Sequence, residues 1–348
     1  MTILVTGASG FIGSYIVQEG LDRGFEIWAG VRGTSSRGYL QDKRIKFAQL
    51  DLSNPDTLLH QLRQYKEEMG EKGWDYVVHA AGATKCLNEK DFYRTNTDGT
   101  RHLIEALQAA DMTPKRFVFV SSLSIFGAIR EQAVRKPTPD NPWIYSPILL
   151  TDEPKPNTAY GRSKLKAEEF LLQQKNFPFT ILRPTGVYGP REKDYFMMAK
   201  SIKQHIDFAV GYQPQEITFV YMMDVVQAIY KCMDSPTAIG KAYFLSDGEV
   251  YNSRRFSDLL QQHLGNPWVL HIKAPLWLLR IICWVSTRIS HLTGKMNALN
   301  DDKFHILSQR NWQCYIEPAM HDFGYLPQWK LEQGVESTIK WYKENGWI

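Results

Sequence analysis

A chain of 348 residues has room for one large α/β domain with a smaller lobe appended, and it can bury a sizeable core. Its composition, 43 % hydrophobic and 22 % charged, matches ordinary globular usage. Lys and Arg number 41 against 37 Asp and Glu, an excess too small and too scattered to point to nucleic acid, although it suits anionic ligands. Cys86, Cys232, Cys283 and Cys314 stand far apart with no CxxC or metal spacing, so they read as reduced thiols and no metal is expected. The opening run Met1-Thr2-Ile3-Leu4-Val5 already looks like a core strand and leaves no room for a signal peptide. The expected location is cytoplasmic, at least for the catalytic side.

In chain order, apolar runs predict strands at 3–6, 26–31, 46–50, 76–79, 117–121 and 179–182. Amphipathic stretches between them predict helices at 10–24, 56–70, 91–110 and 158–175. Such alternation implies a doubly wound, Rossmann-type parallel sheet, α/β in class, whose ligands bind at the carboxyl ends of the strands. The stretch 130–156 breaks the rhythm with many prolines, and loops of that length are usually functional or mobile. Late strands at 217–220 and 242–245 are expected to rejoin the sheet. The expected division is therefore a dinucleotide-binding domain over 1–187, with 216–247 returning to it. The segments 188–215 and 248–348 are left for a substrate-binding lobe.

Thr6-Gly7-Ala8-Ser9-Gly10-Phe11-Ile12-Gly13 follows the first strand and opens a helix. Glycines there permit a tight turn and close helix packing, and they let backbone N–H groups from Ser9 to Ile12 approach a pyrophosphate. NAD-preferring sites usually carry an acidic residue at the end of the second strand. This chain reads Val31-Arg32-Gly33-Thr34-Ser35-Ser36-Arg37 instead. Arg32 could stack on adenine and pair with a 2′-phosphate, with Arg37 as a further donor, so NADP(H) is favoured and NAD(H) is also admitted. Asp51-Leu52 after the third strand and Ala80, Ala81 and Ala83 after the fourth fit the same site. A carboxylate there can accept the adenine amine, and small residues let a cofactor lie against the backbone.

Tyr160-Gly161-Arg162-Ser163-Lys164 starts a helical stretch, and a Tyr and a Lys four residues apart share one helix face. A free phenol has a pKa of about 10, too high for efficient proton transfer at neutral pH, and a nearby ammonium is expected to lower it. Ser121-Ser122-Leu123-Ser124-Ile125-Phe126-Gly127 ends a strand, where a hydroxyl can bond a substrate oxygen.

Together these motifs resemble the extended short-chain dehydrogenase/reductase family, over at least 1–224. TGxxGxxG, Asp51-Leu52, the His79 segment, Asn96 with Gly99-Thr100, the serine strand and YxxxK stand in the family's order. Arg183-Pro184-Thr185-Gly186-Val187-Tyr188-Gly189-Pro190 matches RPxxVYGP, and Asp224-Val225 matches the later DV motif. The resemblance implies that Tyr160 is the acid/base, that Lys164 lowers its pKa while holding the nicotinamide ribose, and that Ser122 orients the carbonyl. It further implies that Asn96, Ser121, Pro184 and Thr185 line the cofactor and that Thr84, Ser124 and Val187 meet the substrate. Phe126 stands where the family usually has Tyr. A homodimer through the helices of Asp91 and Tyr160 is a further family expectation.

Related 4,6-dehydratases carry Asp-Glu after the catalytic hydroxyl, whereas Leu123 and Ser124 stand here, so elimination is not expected. A nucleotide-sugar epimerase remains open, although epimerases usually hold NAD tightly and the Arg32 loop speaks against that. The stretch 274–285 is the most apolar in the chain, and continued helically it places Arg280, Trp284, Thr287 and His291 on one narrow stripe. It is too short and interrupted to span a bilayer. It could instead meet a membrane peripherally over 275–292, at an inner membrane face, or be buried in the lobe. The tail, with Trp312, Gly334 and Trp341-Tyr342, resembles the sterol-dehydrogenase-like and dihydroflavonol-reductase-like branches. The expected reaction interconverts a ketone and a secondary alcohol on a hydrophobic small molecule, a 3-keto sphingoid or ceramide-like lipid or a 3-hydroxysteroid. A non-catalytic cofactor-binding protein would typically have lost the Tyr or the Lys, and both are present.

Overall fold

The computed structural model describes residues 1–294, 297 and 299–348. Six strands alternate with helices: β1 (Thr2–Thr6), β2 (Glu26–Val31), β3 (Lys46–Gln49), β4 (Tyr76–His79), β5 (Arg116–Val120) and β6 (Phe179–Pro184). With the later strand Lys241–Leu245 they form one seven-stranded parallel sheet, in the order Lys241–Leu245, β6, β5, β4, β1, β2, β3. β1, β4 and β5 read as near-continuous apolar runs because helices cover both faces of the sheet. On one face pack α1 (Phe11–Asp22), through Ile16 and Val17, and the helix Met222–Met233, through Val225 and Ile229. On the other pack α2 (Pro55–Glu68), α4 (Gly99–Ala109) and α5 (Ala159–Leu172), through Leu58, Leu103 and Leu171. The strand order reverses between β1 and β4, from which successive strands are added on opposite sides, and ligands of open α/β sheets sit at such a switch point.

Two elements differ from expectation. The segment 217–220 does not rejoin the main sheet, because Lys241–Leu245 takes the free edge of β6. Instead Glu216–Ile217 pairs with Tyr251–Asn252 and Asn311–Trp312, while Phe219–Tyr221 pairs with Gly186–Tyr188. The helix expected over 91–110 begins as α3 (Glu89–Phe92), widens into a π-helical turn at Tyr93–Asp98 and only then continues as α4. π turns of this kind often mark functional sites, and this one carries Asn96.

The proline-rich stretch 130–156 is tied down at both ends. Arg130 grips Asp152 through Nε at 2.5 Å, and the buried Glu216 carboxylate accepts the N–H groups of Ile144 and Tyr145. Asn311 donates to the carbonyls of Arg130 and Ser146. A third apolar cluster gathers Tyr188, Phe219, Phe256, Leu259, Leu331 and Val335, and so draws on the segments expected to form the lobe. Gly334 admits the Tyr188 ring: a Cβ there would stand 2.1 Å from the phenol oxygen. Residues Ile316, Ala319, Phe323 and Tyr325 join the core over the main sheet, not the third cluster.

Candidate active site

The turn between β1 and α1 is shaped by contacts that only glycine permits. Gly7 has φ +70°, and a Cβ on it would lie 2.6 Å from the Ala81 nitrogen. A Cβ on Gly13 would lie 2.1 Å from the Gly7 carbonyl oxygen. The first turn of α1 has no side-chain cap and no acidic residue, so its N–H groups and positive dipole end are open to an anion. At the end of β5, the buried Ser121 hydroxyl has no hydrogen-bond partner among the described residues. A glycine-walled cradle, an uncapped helix end and an orphaned hydroxyl fit a dinucleotide pyrophosphate and its neighbouring groups.

The other expected cofactor residues fall around this cradle in different ways. Arg32 is exposed beyond β2 and has no side-chain partner among the described residues, while Arg37 lies over the Phe47 ring at 4.2 Å. Asp51 spends Oδ1 on the backbone N–H and hydroxyl of Ser53, leaving Oδ2 available. Ala80, Ala81 and Ala83 follow β4 and are half-buried, and Thr84 is exposed. Asn96 is fully spent. Its amide donates to the Ala83 carbonyl and to Ser163 Oγ, and its Oδ1 accepts the Ala83 N–H at 2.7 Å. It therefore clamps the loop after β4. Thr185 gives its hydroxyl to the Thr218 carbonyl and its N–H to Leu245, Pro184 is buried beside it, and Val187 is half-buried in the strand below.

His79 at the end of β4 is buried between two hydroxyls, with Nδ1 2.7 Å from Thr6 Oγ1 and Nε2 2.9 Å from Thr100 Oγ1. Thr100 Oγ1 donates to the Asn96 carbonyl, so it accepts from Nε2–H, and Nδ1 accepts from Thr6. Burial, then the neighbouring Lys164, pushes the His79 pKa down to about 3, which keeps the ring neutral. It is a fixed strut between β1, β4 and α4.

Ser122, Tyr160 and Lys164 come together at the carboxyl end of β5. Thr158 caps α5 through the Gly161 N–H at 2.9 Å. Gly161 lets the helix end approach the serine turn, since a Cβ there would stand 2.4 Å from the Ser124 carbonyl oxygen. Ser122 Oγ accepts the Ser124 N–H at 3.1 Å and faces the Tyr160 phenol. Lys164 is buried, donates one N–H to the Val120 carbonyl at 2.9 Å and lies over the Phe119 ring. Two N–H donors remain. Burial lowers the Lys164 pKa to about 8, against an opposing pull from Glu168. Glu168 is itself gripped by Arg183 through a buried pair of 2.6 Å.

Burial raises the Tyr160 phenol to about 12, only partly opposed by the Ser122 hydroxyl, while Lys164 directs one N–H at the Val120 carbonyl.

A carboxylate from far down the chain completes the rim. Asp302, in the helix Asp301–Ser308, accepts the N–H of Ala159 at 2.9 Å and of Tyr160 at 3.3 Å. Nothing in the sequence marks it, because its partners are backbone groups 142 and 143 positions away. Gly161 was readable in principle, since a glycine inside a helix start has a packing reason. Lys85 and Lys303 both pair with Asp194 near the same rim.

The sequence profile of the NAD dependent epimerase/dehydratase family matches residues 3–252. The chain belongs to that family. The UDP-glucose 4-epimerase of Vibrio cholerae is 25% identical, over 97% of this chain and 94% of its own. The 3 beta-hydroxysteroid dehydrogenase/Delta 5-->4-isomerase of Mycobacterium tuberculosis is 24% identical, over 98% and 90%. Among solved structures, the dTDP-glucose 4,6-dehydratase of Bacillus anthracis in complex with NAD superposes with a TM-score of 0.73 at 18% identity, covering 99% of this chain and 97% of that one. Members of the NAD dependent epimerase/dehydratase family are dehydrogenases and epimerases that depend on a nicotinamide dinucleotide, and this chain is such an enzyme. The glycine cradle and Ser121 suit its pyrophosphate, and the two spare donors of Lys164 suit ribose hydroxyls.

Proposed function

We propose that the chain is an NADP(H)-dependent oxidoreductase that interconverts a ketone and a secondary alcohol on a hydrophobic small molecule, with a 3-keto sphingoid or ceramide-like lipid and a 3-hydroxysteroid as the leading candidates. The observation that carries the reading is the meeting of Ser122, Tyr160 and Lys164 beside the cradle. The bound nicotinamide supplies the hydride. Ser122 bonds the substrate carbonyl oxygen, its own hydroxyl held in place by the Ser124 N–H. Tyr160, kept protonated at neutral pH by its burial, gives its proton to that oxygen, and the positive charge of Lys164 is what must stabilise the phenolate enough for the transfer to be efficient. Lys164 steadies the developing phenolate with a charge that burial has left only loosely protonated. Arg32, exposed and without a side-chain partner, supports NADP(H) over NAD(H).

The apolar substrate class is supported by the outward-facing apolar helix Leu276–Thr293, whose neighbour supplies Asp302 to the catalytic helix. The same reading keeps 275–292 in peripheral contact with the inner face of a membrane and retains a homodimer through the helices expected over 91–110 and 158–175.

Purified protein given NADPH and a panel of keto-lipids and ketosteroids should oxidise the cofactor. Tyr160→Phe should cut turnover by about 10²–10⁴-fold while NADPH still binds. Near-normal turnover in that variant would refute the assignment of Tyr160. Because a UDP-glucose 4-epimerase is among the relatives, nucleotide sugars belong in the same assay. An epimerised product without net cofactor use would transfer the case to that chemistry.

A further inference from the structure

The helix Leu276–Thr293 is inside out. Its buried side carries Leu279 and then Cys283 and Ser290, with Ser286 and Thr287 half-buried beside them. These small polar groups hold the segment that follows: Ser290 Oγ accepts the Asn297 N–H, and Thr287 Oγ1 accepts the Asp301 N–H at 3.2 Å. Two adjacent stripes face outward instead, Trp277–Ile281–Trp284 and Leu278–Ile282–Val285, the second continuing to Ile289 and Leu292. Trp277 is 65% exposed, Trp284 54% and Leu292 86%. Among the described residues no helix is long and apolar enough to cross a membrane.

A second element extends this surface. The strand Leu270–Ala274, which runs directly into the helix, pairs in parallel with Ile206–Val210 and sets Ile272 beside Phe208. Leu270, Ile272 and Phe208 therefore share one face, and all three are exposed, with Phe208 at 60%. The opposite face carries the buried Asp207, paired with Arg254 and His271. Leu276 at the start of the helix packs on Gly211 at the end of the strand pair, so ribbon and helix adjoin.

We propose that the outer sides of this ribbon and helix form one docking surface for an anionic lipid bilayer. Exposed apolar patches of this extent mark interaction sites. The charges choose the occupant: from Leu264 to Asn300 the sequence holds no Asp or Glu, but it carries Lys273, Arg280, Arg288 and Lys295. Arg288 rises beside the Trp284 ring at 5.4 Å, and Lys273 lies 5.1 Å from the Tyr212 ring. Arg288 with Trp284 at its base and Lys273 beside Tyr212 match the boundary between acyl chains and anionic headgroups, while Arg280 lies over the Phe304 ring of the next helix. A second copy of the chain fits less well, because a two-fold contact would set these basic residues against themselves. This deepens the peripheral contact proposed above for 275–292 and rests on that part of the reading, but its evidence is exposure and charge and not the identity of the substrate.

The test is flotation of the full chain with vesicles of phosphatidylcholine alone and of phosphatidylcholine with phosphatidylglycerol. Sedimentation velocity without lipid accompanies it. Binding should appear only on the anionic vesicles. Lys273→Glu with Arg288→Glu should weaken it by about tenfold or more. Trp277→Ser with Ile281→Ser should abolish it. Both variants should reduce a water-soluble ketone as the parent does without lipid, so failure of docking and failure of the reductase reading are separate results. No binding to either vesicle, or equal binding to both, overturns the proposal. A dimer in solution that the Trp277→Ser variant abolishes would also overturn it and assign the surface to a second copy.

Discussion

The chain builds the cradle before α1 and the rim at Asp302 in different ways. In the cradle, backbone meets backbone: Gly7 lies against Ala80 and Ala81, and Gly13 lies against Gly7. At the rim, a single carboxylate reaches back across 142 residues to hold the start of α5. A backbone cradle can be written in local spacing, because only glycine fits it. A side-chain rim can be written with any acceptor that the fold happens to deliver. The difference predicts sharp, all-or-none effects in the first region and graded ones in the second.

The largest effect belongs to Gly13→Val. Its Cβ would fall 2.1 Å from the Gly7 oxygen, so the turn must open and dinucleotide binding should be lost. Gly10→Ala, where the Cβ would stand 3.1 Å from the same atom, should keep the fold and bind more weakly. Calorimetric titration with NADPH reads both. Unchanged affinity in Gly13→Val would break the contrast between the two regions.

The same contrast explains what was legible beforehand. β2 and β4 fell where their apolar runs placed them, since strands buried on both faces must be apolar throughout. The glycine cradle and the Tyr160–Lys164 spacing were equally local. The segment 217–220 misled because its apolar pattern is right for a strand but cannot say which edge is free; Lys241–Leu245 had taken it. The π turn at Asn96 was invisible because a helix with one widened turn keeps the same composition as one without. Glu216 and Asp302, both binding backbone N–H groups of distant loops, leave no periodic trace at all.

Lys164→Met should come next in size. Turnover should fall by about 10²–10⁴-fold if the ammonium governs proton transfer at Tyr160. Stability should move the opposite way. The folded chain holds Lys164 near 8, below its ordinary 10.5, because burial disfavours the charge. Below pH 8 both folded and unfolded chains carry the proton, so the cost of burying it is fully present. Between about 8 and 10.5 the unfolded chain binds more protons, so stability rises with pH, by on the order of 1.4 kcal/mol per unit of pKa difference. Thermal melts across that window should show the parent gaining on Lys164→Met, which should be the more stable of the two at pH 7. Parallel curves would mean that Lys164 is solvated in the folded state.

Arg32→Ala probes the edge of the cradle, where a side chain and not the backbone is asked to select the cofactor. A charge-assisted bond to a 2′-phosphate is worth about 1.5–3 kcal/mol, so NADPH affinity should fall by about ten- to a hundredfold while NADH affinity holds. An equal loss for both would place Arg32 on the adenine instead. NADH tighter than NADPH in the parent would remove the preference altogether.

Asp302 offers the smallest effect and the finest discrimination. Removing an acceptor from a helix start costs about 1 kcal/mol, so Asp302→Ala should lower the melting temperature modestly. The Thr158 cap remains, hence α5 itself should persist. What the variant loses is the tie that fixes the first turn, and Tyr160 sits in that turn with its N–H on the missing carboxylate. The expected signature is therefore a several-fold lower kcat with unchanged NADPH affinity and an unshifted pH profile, since Asp302 touches the backbone and not the phenol. Asp302→Asn keeps one acceptor oxygen for the Ala159 N–H and should recover much of the rate. If Asp302→Ala lost stability but kept its kcat, the carboxylate would be only a fastener between two helices. A shifted pH profile would instead make it part of the proton path, and the rim would then be as sharply specified as the cradle.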